Sequence, residues 1–443
     1  MEIQYSPFHF SGCQCGGLFL ARLKGFLHVQ KKVRISGGSH VKIGVDISSW
    51  IHPEGQGRYT RELLLALLAV DQHNDYLFFL DSKTAASCKD LPESNRIQRI
   101  VVKTSDAAIL RATAWGRRPL SDLWEMGEAV QRYGRDLDLF FFPGLHTFFP
   151  LRTHAKIIVT IHDTFAERHP RLVFPTWHNQ FFWKLKSRWA LRQADLITTV
   201  SETSRQDLIQ RYNLVNKKVT VIPNGTSRIF RPLDHSSATS VTARYGLRPD
   251  ERFILYVGGF GPHKNLTILL EAYDTLLRRG MISNVKLVLV GDFQSKLSLT
   301  NYDSLRTRMT ERGLTKQVVF TGYLHDEELV HIYNQAALLV LPSLDESFGL
   351  TGLEAMACGT PVVASRVGAL PEVMGEAAQY FDPRNASQLT ERLQSVLTND
   401  ALRETMHCKG LERAQQFSWQ NSAEALLKIF EECIPSHVET KQI

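Results

Sequence analysis

Two glutamates eight positions apart, Glu346 and Glu354, lie in the run Leu344-Asp-Glu-Ser-Phe-Gly-Leu-Thr-Gly-Leu-Glu354-Ala-Met-Ala-Cys-Gly-Thr-Pro-Val-Val-Ala-Ser365. The apolar run Leu338–Leu341 reads as a buried strand, and Pro342 and Ser343 end it. Glu346 then falls in the loop outside a strand's carboxyl end, where open parallel sheets bind their ligands. A helix is expected from Leu350 to Cys358, closed by Gly359, with Glu354 in its first turn. The free N–H groups near Phe348, Gly349, Leu350 and Thr351 can hold an anion at that helix start. A carboxylate beside an anion site is a poor anion ligand but a good acceptor for two vicinal hydroxyls. Diphosphate on the amides, ribose on Glu354 and a hexose near Glu346 together describe a nucleotide-sugar. An acid at a helix start also serves as plain dipole complement. The strand–glycine–helix context and a second anion site favour the ligand reading here.

That second site is Tyr256-Val-Gly258-Gly259-Phe-Gly-Pro-His263-Lys264-Asn, which follows another expected strand. Its glycines let the backbone approach a phosphate, and Lys264 reaches it as a point charge. The competing reading is a surface lysine in a flexible turn. Thr160-Ile-His162-Asp ends a strand on the same rim, and Gly57 opens a helix after Pro53-Glu-Gly-Gln, where its amide can face an anion. A structural histidine and a plain glycine turn are the bland alternatives for these two.

The elements that must position these groups alternate along the chain. Strands are expected at Ile43–Ile47, Tyr76–Leu80, Ile100–Val102, Leu139–Phe142, Ile157–Thr160, Leu196–Thr199 and Val219–Ile222. Helices fall between them, among them Gly57–Leu68 and Glu202–Tyr212, the second capped by Ser201. A second alternation runs through Phe253–Val257, Lys286–Val290, Val318–Thr321, Leu338–Leu341 and Val362–Ala364, with a helix at Leu266–Leu277. This is the pattern of α/β doubly wound parallel sheets. The expected plan is an extension over 1–40, a first Rossmann-like domain over 41–225, a linker over 226–246 and a second Rossmann-like domain over 247–412. A closing helix over 413–443, drawn from Phe417 to Phe430, returns to the first domain. Residues 1–40 carry no core periodicity and no cleavable signal. Because valine can be read from an alternative bacterial start codon, native translation is expected to begin at Val41.

A chain of 443 residues, 43% hydrophobic and 22% charged, is too long for one core and too apolar for disorder. No apolar run is long enough to span a bilayer. Six cysteines without a zinc-like cluster imply a reducing cytosol rather than a disulfide framework. The net charge of +7 is concentrated in the first half, which points to an anionic surface or phosphorylated acceptor, with ordinary surface charge as the alternative. No Asp-x-Asp follows a strand to hold a metal-bound diphosphate. No Gly-x-Gly-x-x-Gly with a downstream acid follows the first strand, which disfavours a dehydrogenase.

The Glu346–Glu354 segment resembles the E-x7-E signature of retaining glycosyltransferases of family 4, which adopt the GT-B fold, two Rossmann-like domains facing a cleft. The resemblance covers nearly all of residues 41–430. It implies that Lys264 and the helix-start amides bind the donor diphosphate and that Gly57 faces it across the cleft. It also implies that His162 lies at the donor sugar and that the backbone at Tyr323 and Leu324 reads the base. Many members carry arginines where Gly259 and His263 stand, so His263 is expected to supply part of the missing cation. The implied reaction needs no metal or cofactor, with Glu346, His162 and Lys264 at the chemistry. Tyr-Val-Gly-x5-Lys-Asn with Ile-His-Asp is most similar to bacterial mannosyltransferases. The implied donor is therefore GDP-mannose, or else a UDP-sugar, and the acceptor a glycan or a lipid-linked sugar. Nucleic acid is not an expected partner. A GT-B epimerase or phosphorylase and a non-catalytic nucleotide-sugar-binding protein are the rival readings.

One more segment bears on location. His178-Asn-Gln-Phe-Phe-Trp-Lys184-Leu-Lys-Ser-Arg188-Trp-Ala-Leu-Arg192 reads as a helix, with Lys184, Arg188 and Arg192 on one face. Trp115, Arg117 and Arg118 add a second basic-aromatic cluster. Such a face suits peripheral contact with an anionic membrane, at the inner face of the plasma membrane for a cytoplasmic enzyme. Against this, Phe181, Leu185 and Trp189 share helical spacing and are expected to form a buried stripe.

Overall fold

Runs of four to seven residues rich in Val, Ile, Leu and Phe, buried on both sides, give the chain its two parallel sheets. A computed structural model describes residues 40–434 except 53–54, 89, 105–118, 175, 215–218, 234–240, 249–250 and 294–300. The expectations for residues 1–39, for Pro53 and Glu54, for Trp115, Arg117 and Arg118, and for linker positions 234–240 lie outside the described residues. His40 to Pro435 cluster as one unit.

The first sheet holds β1 (Lys42–Asp46), β2 (Asp75–Asp81), β3 (Ile97–Val102), β4 (Leu139–Phe142), β5 (Lys156–Thr160), β6 (Leu196–Thr199) and β7 (Val219–Val221). Their order is β3-β2-β1-β4-β5-β6-β7, all neighbours parallel. The second holds β8 (Arg252–Val257), β9 (Val285–Val290), β10 (Val318–Gly322), β11 (Leu338–Leu341), β12 (Val362–Ser365) and β13 (Ala378–Phe381), ordered β10-β9-β8-β11-β12-β13. In each the order reverses beside the first strand, at β1/β4 and at β8/β11. That is the switch point where such sheets open a crevice. Twelve of these strands were expected from the sequence; β13, Ala-Gln-Tyr-Phe, was not, since half of it is only partly buried.

The helices that matter for the site are α1 (Gly55–Val70), α2 (Leu120–Tyr133), α3 (Trp177–Gln193), α4 (Glu202–Tyr212), α5 (Leu266–Arg278), α6 (Asp326–Gln335), α7 (Leu350–Ala357) and α8 (Trp419–Cys433). Ser201 caps α4 through the Ser204 N–H, as expected. The closing helix begins at Trp419, two residues later than expected, because Ser418 caps it through the Asn421 N–H. It returns to the first sheet: Phe430 lies 5.6 Å from Phe141 and Trp419 lies 6.0 Å from Tyr59, ring to ring. At the crossing, the Thr226 N–H donates to Phe417 O at 3.1 Å, and Ser422 Oγ donates to Pro223 O at 2.6 Å. A Cβ on Gly225 would stand 2.0 Å from Trp419 N, so only glycine lets the two chain segments meet.

The buried stripe expected on α3 is not found. Phe181, Leu185 and Trp189 are 55%, 47% and 47% exposed, and Trp177 is 69% exposed. The inward face is instead Ser187 and Ala190, flanked by half-buried Trp183. Small residues let the helix backbone lie close to the sheet, and the large rings are turned outward.

Candidate functional site

The crevice is built where β8 and β11 end. After β8 the chain turns through Pro262–Lys264 into Asn265, which takes left-handed φ 56°. Asn265 Nδ2 donates to Pro342 O at 3.0 Å and to Pro383 O at 2.9 Å, which fastens this turn to the loop after β11. The fastening sets Lys264 Nζ 2.5 Å from Glu346 Oε1. Ser343 Oγ donates to the same oxygen at 2.8 Å. Burial works to raise the Glu346 pKa, but Lys264, Ser343 and His263 outweigh it and hold the carboxyl below its ordinary range. Glu346 is therefore a fixed anion at neutral pH.

Gly258 and Gly259 bring the backbone to this point; Gly258 N–H donates to Val290 O at 3.0 Å, and Gly259 O accepts from Tyr256. His263 packs its ring 4.7 Å from Phe165 of the first sheet's side. Burial and the adjacent Lys264 lower its pKa to about 4. Its ring is thus neutral at pH 7 beside Lys264, which works against the share of the cationic role expected of it.

Helix α7 starts from Gly349 at φ +86°, a conformation suited to glycine, and a Cβ there would meet Leu370 Cδ2 at 2.4 Å. The N–H groups of Leu350 and Thr351, both half-buried, open the helix and have no intrahelical acceptor. Phe348 beside them is buried, edge-on to Phe417 at 5.8 Å. Glu354 is the fifth helical residue, so it lies in the second turn and not the first. It is 2% exposed, its Oε2 accepts from Tyr333 Oη at 2.9 Å, and its Oε1 accepts from Arg58 of α1. Burial pushes its pKa up to about 7; Arg58 and Tyr333 pull against that, and Asp326 adds to it. At the third rim of the crevice Tyr323 is half-exposed, edge-on to His325 at 5.3 Å, while Leu324 is buried.

The first sheet faces these groups with the ends of β1, β4 and β5. Gly57 lies in the first turn of α1, and a Cβ there would fall 1.9 Å from His52 O, so its close approach to the preceding loop explains the glycine. The next residues do more than the sequence indicated. Tyr59 stands edge-on to His162 at 4.5 Å, and His162 Nε2 meets Pro143 O at 3.1 Å, so that nitrogen donates. Burial lowers the His162 pKa to about 4, which keeps Nδ1 an acceptor at neutral pH. Its neighbour Asp163 is pushed up to about 6, mainly by burial. Arg168 Nη2 pairs with Asp345 Oδ2 at 2.7 Å, next to Glu346.

The structure thus brings Lys264, Glu346, His263 and the α7 start together, with Glu354 behind them. His162 and Gly57 belong to the facing rim. Arg58, Asp326, Tyr333, Arg168 and Asp345 were missed. Arg58 had one signal, its place directly after the Gly57 turn, but its partner is 296 positions away.

Family profiles match the chain in two consecutive blocks, "Glycosyltransferase Family 4" over residues 53–228 and "Glycosyl transferases group 1" over residues 239–413. O-antigen chain mannosyltransferase B of Escherichia coli is 28% identical over 381 residues, which covers 83% of this chain and 93% of that protein. Serotype-specific mannosyltransferase WbdA of Escherichia coli is 31% identical over 251 residues, 56% of this chain, and the match spans only 30% of WbdA. Among solved structures, sucrose-phosphate synthase from Thermosynechococcus elongatus superposes with a TM-score of 0.69 at 24% identity, covering 89% of this chain and 99% of that one. Anabaena HepE in complex with UDP and glucose gives 0.69 at 19% identity, covering 89% and 100%. Two matched profiles in chain order, on two parallel sheets with a crevice at both switch points, place this chain in the GT-B glycosyltransferases of family 4.

Proposed function

We propose that the chain is a retaining, metal-independent hexosyltransferase that moves mannose from GDP-mannose to a hydroxyl of a glycan or lipid-linked acceptor. The observation that carries this reading is the Lys264–Glu346 pair at 2.5 Å, set beside the open amides of α7. A diphosphate is a stronger partner for an ammonium than one carboxylate, and the amides of Leu350 and Thr351 supply the rest of its cradle. Once Lys264 turns to the phosphates, the Glu346 carboxylate is left beside the sugar, where it steadies positive charge at the anomeric carbon. In this reading the acceptor hydroxyl attacks the face from which the phosphate leaves, and the departing phosphate oxygen takes the acceptor proton. No protein nucleophile takes part. Neutral His162, with Nε2 held by Pro143 O, offers Nδ1 to a sugar hydroxyl. Mannose is favoured because both E. coli relatives are mannosyltransferases by name.

The test is a donor panel with a soluble oligosaccharide acceptor, read by NMR. GDP-mannose turning over faster than UDP-glucose, with the donor's anomeric configuration kept, supports the reading. An inverted product sinks the mechanism, and preference for a UDP-sugar sinks the donor.

A further inference from the structure

The crevice uses none of the outward face of α3, and that face is unlike the rest of the described surface. Trp177, Phe181, Leu185 and Trp189 recur every four residues and are all exposed. Lys184, Arg188 and Arg192 recur at the same interval and are also exposed, so a cationic stripe runs beside the aromatic one. The helix carries no Asp or Glu at all. None of the three cations is salt-bridged to a carboxylate among the described residues. Helix α2 packs on the same sheet face and exposes Leu120 and Trp124, but it also exposes Glu125 and Glu128, which an anionic surface repels.

We propose that α3 docks on an anionic phospholipid bilayer, with the four large side chains in the headgroup–acyl boundary and the three cations on lipid phosphates. The inference deepens the acceptor side of the reading above and rests on it for one point only, that the docked enzyme meets a lipid-linked acceptor. Aromatic rings with a polar edge favour that boundary, and Lys and Arg beside them gain from anionic lipid. A second copy of this chain is a poorer occupant, because a two-fold contact through α3 sets its cations against their own copies. The docking helix is also tied to the crevice. Trp183 Nε1 donates to Glu167 Oε1 at 2.7 Å, and the next residue, Arg168, is the one paired with Asp345. The inward side of the docking helix is thus linked, through Glu167 and Arg168, to the loop that carries Asp345.

Cosedimentation of the full chain with vesicles tests this, using phosphatidylcholine alone and phosphatidylcholine with phosphatidylglycerol. The wild-type chain should bind only the anionic vesicles, and bind them less at high salt. Each cation contributes about fivefold in partitioning, so Lys184→Glu with Arg188→Glu and Arg192→Glu should lower binding by at least about a hundredfold. Phe181→Ser with Leu185→Ser and Trp189→Ser should also lose binding, while both variants keep wild-type transfer to a soluble acceptor. All six positions are exposed, and circular dichroism checks that the variants fold. No binding of the wild type to anionic vesicles at low salt overturns the proposal. So does unimpaired binding by either variant, or a lipid-free dimer by ultracentrifugation that the serine variant dissolves. Transfer to the soluble acceptor reports separately on the enzymatic reading, so the two fail in different assays.

Discussion

Arg58 Nη1 donates to Glu354 Oε1 and Nη2 donates to Asp326 Oδ1, so one guanidinium from α1 holds carboxylates of both α7 and α6 across the crevice. It also lies over the Phe230 ring at 5.5 Å. Two acids share the arginine, so its charge is held more firmly than usual despite burial, while burial leaves Glu354 pushed up to about 7. The planar fork suits this double pairing in a way a lysine does not.

Removing that fork leaves buried Glu354 and half-buried Asp326 without their counter-ion. Arg58→Ala should lower stability by about 2–4 kcal/mol, part of the loss being relieved by protonation of Glu354. Arg58→Lys should recover only part of it. A urea midpoint for Arg58→Ala equal to wild type would show that the pair is incidental.

The two glutamates should separate kinetically. Glu354→Ala should weaken nucleotide-sugar binding by about 1–3 kcal/mol, through loss of the carboxyl that accepts the ribose hydroxyls. Glu346→Ala should lower kcat more than affinity, because its carboxylate acts on charge that develops in the transition state. Calorimetry with donor and initial rates with saturating donor distinguish these; unchanged values in both variants would end the site assignment.

His162 gives a pH signature. Its folded pKa, lowered to about 4 from an ordinary 6.5, means that the unfolded chain binds the proton first as pH falls. Its contribution to stability is therefore complete above pH 6.5 and is lost progressively down to about pH 4. The contribution is about 3 kcal/mol at full extent. Asp163, raised to about 6 by burial, works in the opposite sense: it favours the fold below its unfolded pKa and loses that as pH rises toward 6. His162→Gln should flatten the acid limb of the melting-temperature profile between pH 6.5 and 4. An NMR titration of His162 near 6.5 would contradict the assignment.

Metal removal should leave the rate alone. Lys264 and the α7 amides carry the role of a diphosphate counter-charge, so EDTA is expected to change kcat/KM by less than about twofold. A rate abolished by EDTA and restored by magnesium would require another site for the diphosphate.

The sheets were legible because a strand buried on both faces has few alternatives: Leu338–Leu341 and Leu139–Phe142 are apolar at every position and are strands. β13 escaped because Gln379 and Tyr380 are half-buried and break that pattern. Of the site, what lay within a single strand–loop–helix unit could be read: Lys264 in the unit after β8, and Glu346 with the Gly349 start of α7 in the unit after β11. What depended on partners from the other sheet could not. Glu354 read as a hydroxyl acceptor, but its charge is governed by an arginine 296 positions earlier. The α3 stripe was misread for a related reason: periodicity shows that Phe181, Leu185 and Trp189 share a face, and only the small residues Ser187 and Ala190 show which face the sheet takes.

The crossing at Gly225 and Ser418 has a mechanical consequence. The chain passes between the sheets twice, and Thr226 and Ser418 pair as a two-strand bridge where it does so. Two tethers pinned to each other at one point allow swivelling about that point and resist sliding. Other polar contacts also join the two sides: Glu372 accepts from the Thr203 N–H at 2.9 Å, Arg168 pairs with Asp345, and Ser201 Oγ donates to Ser347 O at 2.9 Å. A swivel that widens the crevice at these residues would break all three contacts, so they favour the closed arrangement.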